Sequence, residues 1–143
     1  MEGDSKPVPV VDAQSEGFWR ATAEGRLAVQ RCQDCGHFSH PPTTICNACH
    51  SVPPSLEFEP VSGRGTIGSW TVMRQAFLPG FAADLPFVLA RVKVVEQEDV
   101  ALIGRLVDGP TAAIELGAAV EVVFESLPGG AAVPAFRLVG ARS

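Results

Sequence analysis

A chain of 143 residues suffices for one modest domain or two very small ones, and is too short for two full-sized globular domains. Hydrophobic residues make up 46% and charged residues 19%, a core-forming composition that excludes general disorder. Sixteen acids against eleven bases give a net charge of −5, which disfavours non-specific attraction to nucleic acid or an anionic membrane. No apolar run approaches the roughly 20 residues that span a bilayer, and the polar start Met-Glu-Gly-Asp-Ser-Lys-Pro has no signal-peptide character. The expected compartment is the cytoplasm, where thiols stay reduced.

Residues 1–11, with Pro7 and Pro9, show no periodicity and read as a flexible arm. Asp12 is placed to cap a helix running through Ala13-Gln14-Ser15-Glu16, and Gly25 stands where a C-terminal glycine belongs. Phe18, Trp19 and Thr22 would share one side of it, although Gly17 inside a helix costs about 1 kcal/mol relative to alanine. Arg26 to Arg31 alternates apolar and polar residues and leads as a strand into the first cysteine pair. Ser51-Val52-Pro53-Pro54-Ser55 is a connector.

Leu56 to Ser143 reads as strands separated by turns. They are expected at 63–74, bent by Gly63, Gly65 and Gly68, and then at 87–95, 100–107, 119–125 and 135–139. Residues 108–117 are expected to form a turn with a short helical piece, and Pro128-Gly129-Gly130 a turn. Alternation puts Val88, Ala90, Val92 and Val94 on one side of the second strand and Arg91 and Lys93 on the other. Likewise Val120, Val122 and Phe124 oppose Glu121 and Glu125. Five strands with a long bent first one suit a small closed oligonucleotide/oligosaccharide-binding (OB) barrel, with 108–117 in the interval of its usual helix. A sandwich wants about seven strands.

All four cysteines fall within 18 consecutive positions, as Cys32-Gln-Asp-Cys35 and Cys46-Asn-Ala-Cys49 with ten residues between the pairs. Two such pairs can bring four thiolates onto one zinc ion at about 2.3 Å. Gly36 follows the first pair, where the turn favours positive φ. Disulfides are a competing reading that no secretion signal supports. A redox dithiol would need a single pair beside a βαβ unit. His37, His40 and His50 are near enough to replace a cysteine, but four cysteines already stand at ligand spacing. A closed four-thiolate site leaves no position for water, so the zinc is structural.

The segment 56–143 has neither cysteine nor histidine, and no nucleophile elbow, phosphate loop or HExxH helix occurs. No catalytic residue is assigned, and the chain is read as a non-enzyme. One loop resists a purely structural reading: 75–87 is punctuated by Pro79-Gly80 and Pro86 yet carries Phe77, Leu78, Phe81, Leu85 and Phe87. Either it folds back over the barrel mouth or it presents apolar surface to a partner or ligand.

Several local motifs resemble a known family. They are Gly17-Phe18-Trp19, Glu24-Gly25-Arg26-Leu27, both cysteine pairs with Pro41-Pro42 before the second, and Val61-Ser62-Gly63-Arg64-Gly65-Thr66-Ile67. Gly117 before Val120-Glu121-Val122, and Pro134-Ala135-Phe136, extend the resemblance over roughly residues 16–137. Together these are similar to the zinc-ribbon/OB-fold proteins associated with acyl-CoA enzymes. His50 departs from the glycine that commonly follows the second pair, which should alter the turn rather than ligation.

The resemblance implies a mainly β chain: an N-terminal arm and short helix (1–25), a rubredoxin-like zinc ribbon (26–55) and a five-stranded OB-fold barrel (56–143). It implies Cys32, Cys35, Cys46 and Cys49 as zinc ligands. It further implies a cytoplasmic, non-catalytic accessory subunit in a hetero-oligomer with a thiolase-fold enzyme: a thiolase, an acyltransferase or a retro-aldolase of sterol side-chain degradation. Such a subunit would help form the acyl-CoA channel, with Phe77, Leu78, Phe81, Leu85 and Phe87 as candidate contacts with the enzyme or the acyl chain. The alternatives are a stand-alone acyl-CoA-binding protein and a single-stranded nucleic-acid binder. The latter requires a basic groove with stacking aromatics, and the face around Arg91, Lys93 and Arg105 offers only Phe87.

Overall fold

The computed structural model describes residues 6–139. One helix, α1 (Glu16–Ala23), precedes eight strands: β1 (Ala28–Cys32), β2 (Phe38–Ser39), β3 (Leu56–Pro60), β4 (Arg64–Met73), β5 (Phe87–Val94), β6 (Ala101–Leu106), β7 (Ala119–Ser126) and β8 (Ala132–Leu138).

The helix begins later than Asp12 suggests. The Asp12 carboxylate accepts the Ser15 N–H at 2.8 Å and the Ser15 hydroxyl at 2.7 Å, closing a turn in front of α1. The C-terminus ends as expected: Gly25 takes φ +78°, its N–H donates to Thr22 and that of Arg26 to Ala21, closing a Schellman motif. Gly17 is explained by packing, because a Cβ there would lie 2.3 Å from the Phe58 ring. Phe18 and Thr22 are buried and Trp19 half-buried, on the side facing the core. Residues 6–11 have no regular structure, but they are anchored: the Lys6 ammonium pairs with Asp84 at 2.7 Å and lies over the Phe81 ring.

The first sheet is antiparallel in the order β2-β1-β3. Leu56–Pro60, grouped with the barrel from sequence, pairs with β1 from Ala28↔Pro60 to Cys32↔Leu56. The other five strands close a barrel in the order β4-β5-β6-β8-β7, with β7 returning to β4 and a parallel β6–β8 contact. All five expected barrel strands are present, and Gly68 marks the anticipated bulge where the register shifts between Ile67 and Ser69. Gly65 sits where β4 meets both neighbours, its would-be Cβ 2.3 Å from the Lys93 carbonyl.

A further expectation fails. Residues 108–117 hold turns and no helical piece. Gly109 at φ +89° and Gly117 at φ +82° bracket them, Pro110 lacks an N–H, and the segment is spanned by short turn bonds such as Ala112 N–H to Gly109 C=O.

The barrel interior holds the expected face of β5, with Val88, Ala90 and Val92 fully buried, together with Ile67, Leu102, Leu106, Val120 and Phe136. Phe18, Leu27, Val29 and Phe38 join the same apolar cluster, so helix and first sheet share one core with the barrel. A polar latch adds to it. The Gln97 side chain, in the β5–β6 turn, accepts the Phe38 N–H at 2.8 Å and donates to the Phe38 carbonyl at 2.7 Å, reproducing a strand pair across the two units. No helix among the described residues is long and apolar enough to cross a membrane.

Candidate metal centre and apolar loop

Strand β1 delivers Cys32 at its last position, where the Cys32 N–H donates to the His37 carbonyl at 2.9 Å. The chain then turns: Gly36, at φ +83°, donates its N–H to the Cys32 carbonyl at 2.9 Å. The second pair repeats this turn, with the His50 N–H donating to the Cys46 carbonyl at 3.0 Å. His50 takes φ +55°, so histidine holds a left-handed conformation where its counterpart is glycine. The expectation that His50 affects the turn rather than ligation agrees with this geometry.

The four sulfur atoms lie within 4.8 Å of one another, with Cys32–Cys49 at 3.7 Å and Cys35–Cys46 at 3.6 Å. Four sulfurs at 2.3 Å from a tetrahedral zinc would be about 3.8 Å apart. The four cysteines are thus positioned to bind one metal ion, and no histidine belongs to the cluster. His40 instead packs its ring against Phe18 at 5.2 Å, and burial lowers its pKa.

Cys32 and Cys46 are buried while Cys35 and Cys49 are exposed. The N–H groups of Cys49 and Ala48 point at the Cys46 sulfur and draw its pKa down to about 6. Cys35 moves the other way: the His37 N–H favours its thiolate, but burial and the neighbouring sulfurs push it up to about 12. A divalent cation at the centre removes that mutual repulsion, and all four ligands can then be thiolates.

A residue that spacing did not flag braces the first turn. Arg31 donates through Nε to the Gly36 carbonyl at 2.9 Å, pairs with Glu59 at 3.1 Å and lies over the Phe38 ring. Gln30 holds the approach to the second pair, accepting the Thr43 N–H at 2.8 Å and donating to the Thr43 carbonyl at 3.0 Å. Their only sequence signal is polarity on a strand beside the cysteines.

The 77–87 segment divides between the two readings left open for it. Phe77 and Leu78 are 76% and 56% exposed. Phe81 and Leu85 are half-buried, and Phe87 is buried as the first residue of β5, its ring 5.8 Å from that of Phe81. Between them, Asp84 is held by Lys6 and by Arg105 at 3.0 Å. The rear of the loop therefore belongs to the protein's own packing, and its tip presents apolar surface.

The family model of the ChsH2 rubredoxin-like zinc ribbon domain matches residues 19–52, and that of the ChsH2 C-terminal OB-fold domain matches residues 58–125. A probable enoyl-CoA hydratase alpha subunit of Thermomonospora curvata is 29% identical over 91 residues, which are 64% of this chain and 27% of that protein. The chain thus spans about a quarter of the length of this curated relative. A chain of the Ltp2–ChsH2(DUF35) aldolase superposes with a TM-score of 0.80 at 27% identity, over 91% of this chain and 98% of that one. A DUF35-family protein from Sulfolobus solfataricus shares the fold, with a TM-score of 0.57 at 14% identity over 90% of this chain and 85% of that one.

Proposed function

Because this chain belongs to the zinc-ribbon and OB-fold family of ChsH2, we propose that it is a non-catalytic partner subunit of an acyl-CoA enzyme. The observation that carries the reading is its 27% identity over 98% of a chain of an aldolase assembled from Ltp2 and ChsH2. The relative named as a hydratase subunit is consistent with acyl-CoA chemistry in the same family. In this reading the partner has the thiolase fold, the complex is a cytoplasmic hetero-oligomer, and the zinc ribbon is a structural support.

The surface proposed for the partner is the loop tip. Phe77 and Leu78 are large, exposed and adjacent, and such side chains become anchors when a partner buries them. The half-buried Phe81 and Leu85 and the buried Phe87 would hold the tip in place rather than make contact. The barrel face near the loop would then help line the acyl-CoA channel.

The test is reconstitution with a thiolase-fold acyl-CoA enzyme from the same source. A stable complex is expected, and Phe77→Ser with Leu78→Ser should weaken it about a hundredfold, the equivalent of roughly 2.7 kcal/mol. The zinc content and circular dichroism of the variant should match the parent. Acyl-CoA turnover by this chain after rigorous removal of other enzymes would overturn the non-catalytic assignment.

A further inference from the structure

A cleft of about 490 Å³ opens where three parts of the chain meet. Phe18 and Trp19 of α1, His40 with the following prolines, and residues of barrel strands β5, β6, β7 and β8 line it. Phe81 from the loop also lines it. The volume lies within the range of small-molecule sites, about 300–1,000 Å³. The second and third barrel strands, part of the face on which OB barrels bind their ligands, contribute Leu89, Ile103 and Arg105 to the lining.

The charges around this cleft cancel. Arg105 lies in its wall, with Asp84 at 3.0 Å and Glu125 at 3.6 Å from the same guanidinium nitrogen, and Lys6 pairs with Asp84. Two cations thus face two carboxylates. Burial lowers the His40 pKa, so the imidazole adds no favoured positive charge. An anionic ligand would meet Glu125 with no net positive field to offset the cost of its desolvation. Both carboxylates engage Nη1, so among the described residues no protein acceptor is assigned to the other N–H groups of Arg105. Those donors suit a neutral acceptor such as a carbonyl oxygen.

From this balance we infer that the cleft is a binding site for an uncharged, largely apolar molecule carrying one carbonyl group, held between Trp19 and the β5–β6 face with its oxygen at Arg105. The site is separate from the exposed loop tip, and the inference survives if the partner reading fails. That chemistry has two sources: a free neutral carbonyl compound, or the acyl end of a thioester whose charged remainder stays outside.

The experiment uses the full, zinc-loaded chain with Trp70→Phe, so that fluorescence reports Trp19. The probes are 2-decanone, S-octanoyl-N-acetylcysteamine, octanoate and octanoyl-CoA at pH 7. Saturable quenching by the first two is expected, with octanoate at least tenfold weaker. Octanoyl-CoA binding as well as the short thioester assigns the site to thioesters, and its exclusion assigns the site to free neutral carbonyl compounds. Val133→Phe, which fills the cleft, should abolish quenching, and Glu125→Gln should strengthen octanoate binding about fivefold or more while leaving 2-decanone unchanged. Both variants are scored only with parental circular dichroism and zinc content. Equal affinity for octanoate and 2-decanone in the parent, an unselective response to Glu125→Gln, or no saturable quenching by either neutral probe would overturn the inference. The last result would leave the cleft to a side chain of a protein partner.

Discussion

Inside the barrel, Ile67, Val88, Val92, Leu102, Leu106, Val120 and Phe136 are all at most 3% exposed. In the 32–50 segment of the ribbon, the only buried apolar residues are Cys32, Phe38 and Cys46, and two of these belong to the cluster positioned to bind one metal ion. The barrel is held by removing apolar surface from water, at roughly 25 cal/mol per Å². The ribbon has too little apolar surface for that and relies on sulfur ligation and on side chains that satisfy backbone groups: Arg31 at Gly36, Gln30 at Thr43 and Gln97 at Phe38. The difference predicts that the ribbon can be lost without the barrel, even though the two share an apolar cluster through Phe38 and Val29.

The largest effect should come from breaking ligation. Structural zinc contributes about 10–16 kcal/mol of apparent binding free energy in finger peptides, against a whole-domain stability of about 5–15 kcal/mol. Cys46→Ser should abolish tight zinc binding and remove hydrogen-exchange protection across 32–50 while the β4–β8 amides stay protected. Loss of protection in both regions together would show that the barrel depends on the metal. Acid should act in the same direction. Because the Cys46 pKa is lowered to about 6, thiolate stabilisation of the metal-free fold is present above the ordinary thiol value and is lost as the pH falls through about 6. Metal affinity should also drop on acidification, since each ligand must be deprotonated, and a chelator titration across pH 5–8 measures it.

The converse break is Phe136→Ala. Phe136 is 1% exposed at the barrel centre, and such truncations cost about 3–5 kcal/mol. Urea unfolding should show that loss in the barrel, while zinc retained in the folded fraction should equal that of the parent.

The two regions differed as much in legibility as in material. Barrel strands could be read because alternation such as Val88-Leu-Ala-Arg-Val-Lys-Val94 records a half-buried strand in its own residues, and glycine recorded the bulge. The cysteine pairs could be read because ligand spacing is local. What stayed hidden depended on distant partners. Leu56–Pro60 alternates too, but nothing in it says that β1 rather than β4 is its neighbour. Gln97 and Phe38 lie 59 positions apart, and their two bonds exist only once the hairpin turn meets the ribbon. The usual plan of the barrel suggests a short helical piece within 108–117, whereas Gly109, Pro110 and Gly117 favour turns throughout.

A smaller effect isolates that latch. Gln97→Ala leaves the Phe38 N–H and carbonyl without their partner, a loss of about 1–3 kcal/mol if both remain dry. The sharper expectation is uncoupling: with cobalt in place of zinc, melting followed by ligand-field absorption and by tryptophan fluorescence should coincide in the parent and separate in the variant. Coincident transitions in both would mean that the shared apolar cluster alone couples ribbon and barrel.

The smallest effect compares the two turns of the ribbon with each other. Gly36 and His50 occupy equivalent positions, each donating its N–H back to the first cysteine of its pair, at φ +83° and +55°. A non-glycine residue in the left-handed region carries strain of about 1–3 kcal/mol, and glycine offsets part of the relief through its freer unfolded chain, about 0.4–1 kcal/mol. His50→Gly should therefore raise zinc affinity slightly, about two- to fivefold for a net gain of roughly 0.5–1 kcal/mol. Competition with a chelator of known affinity measures it. The reciprocal change, Gly36→His, should cost more than its counterpart gains, because φ +83° lies farther than +55° from the left-handed well at about +57° that L residues can adopt. If His50→Gly instead weakened zinc binding, the exposed imidazole would be supporting the second turn by an interaction that its backbone geometry does not reveal.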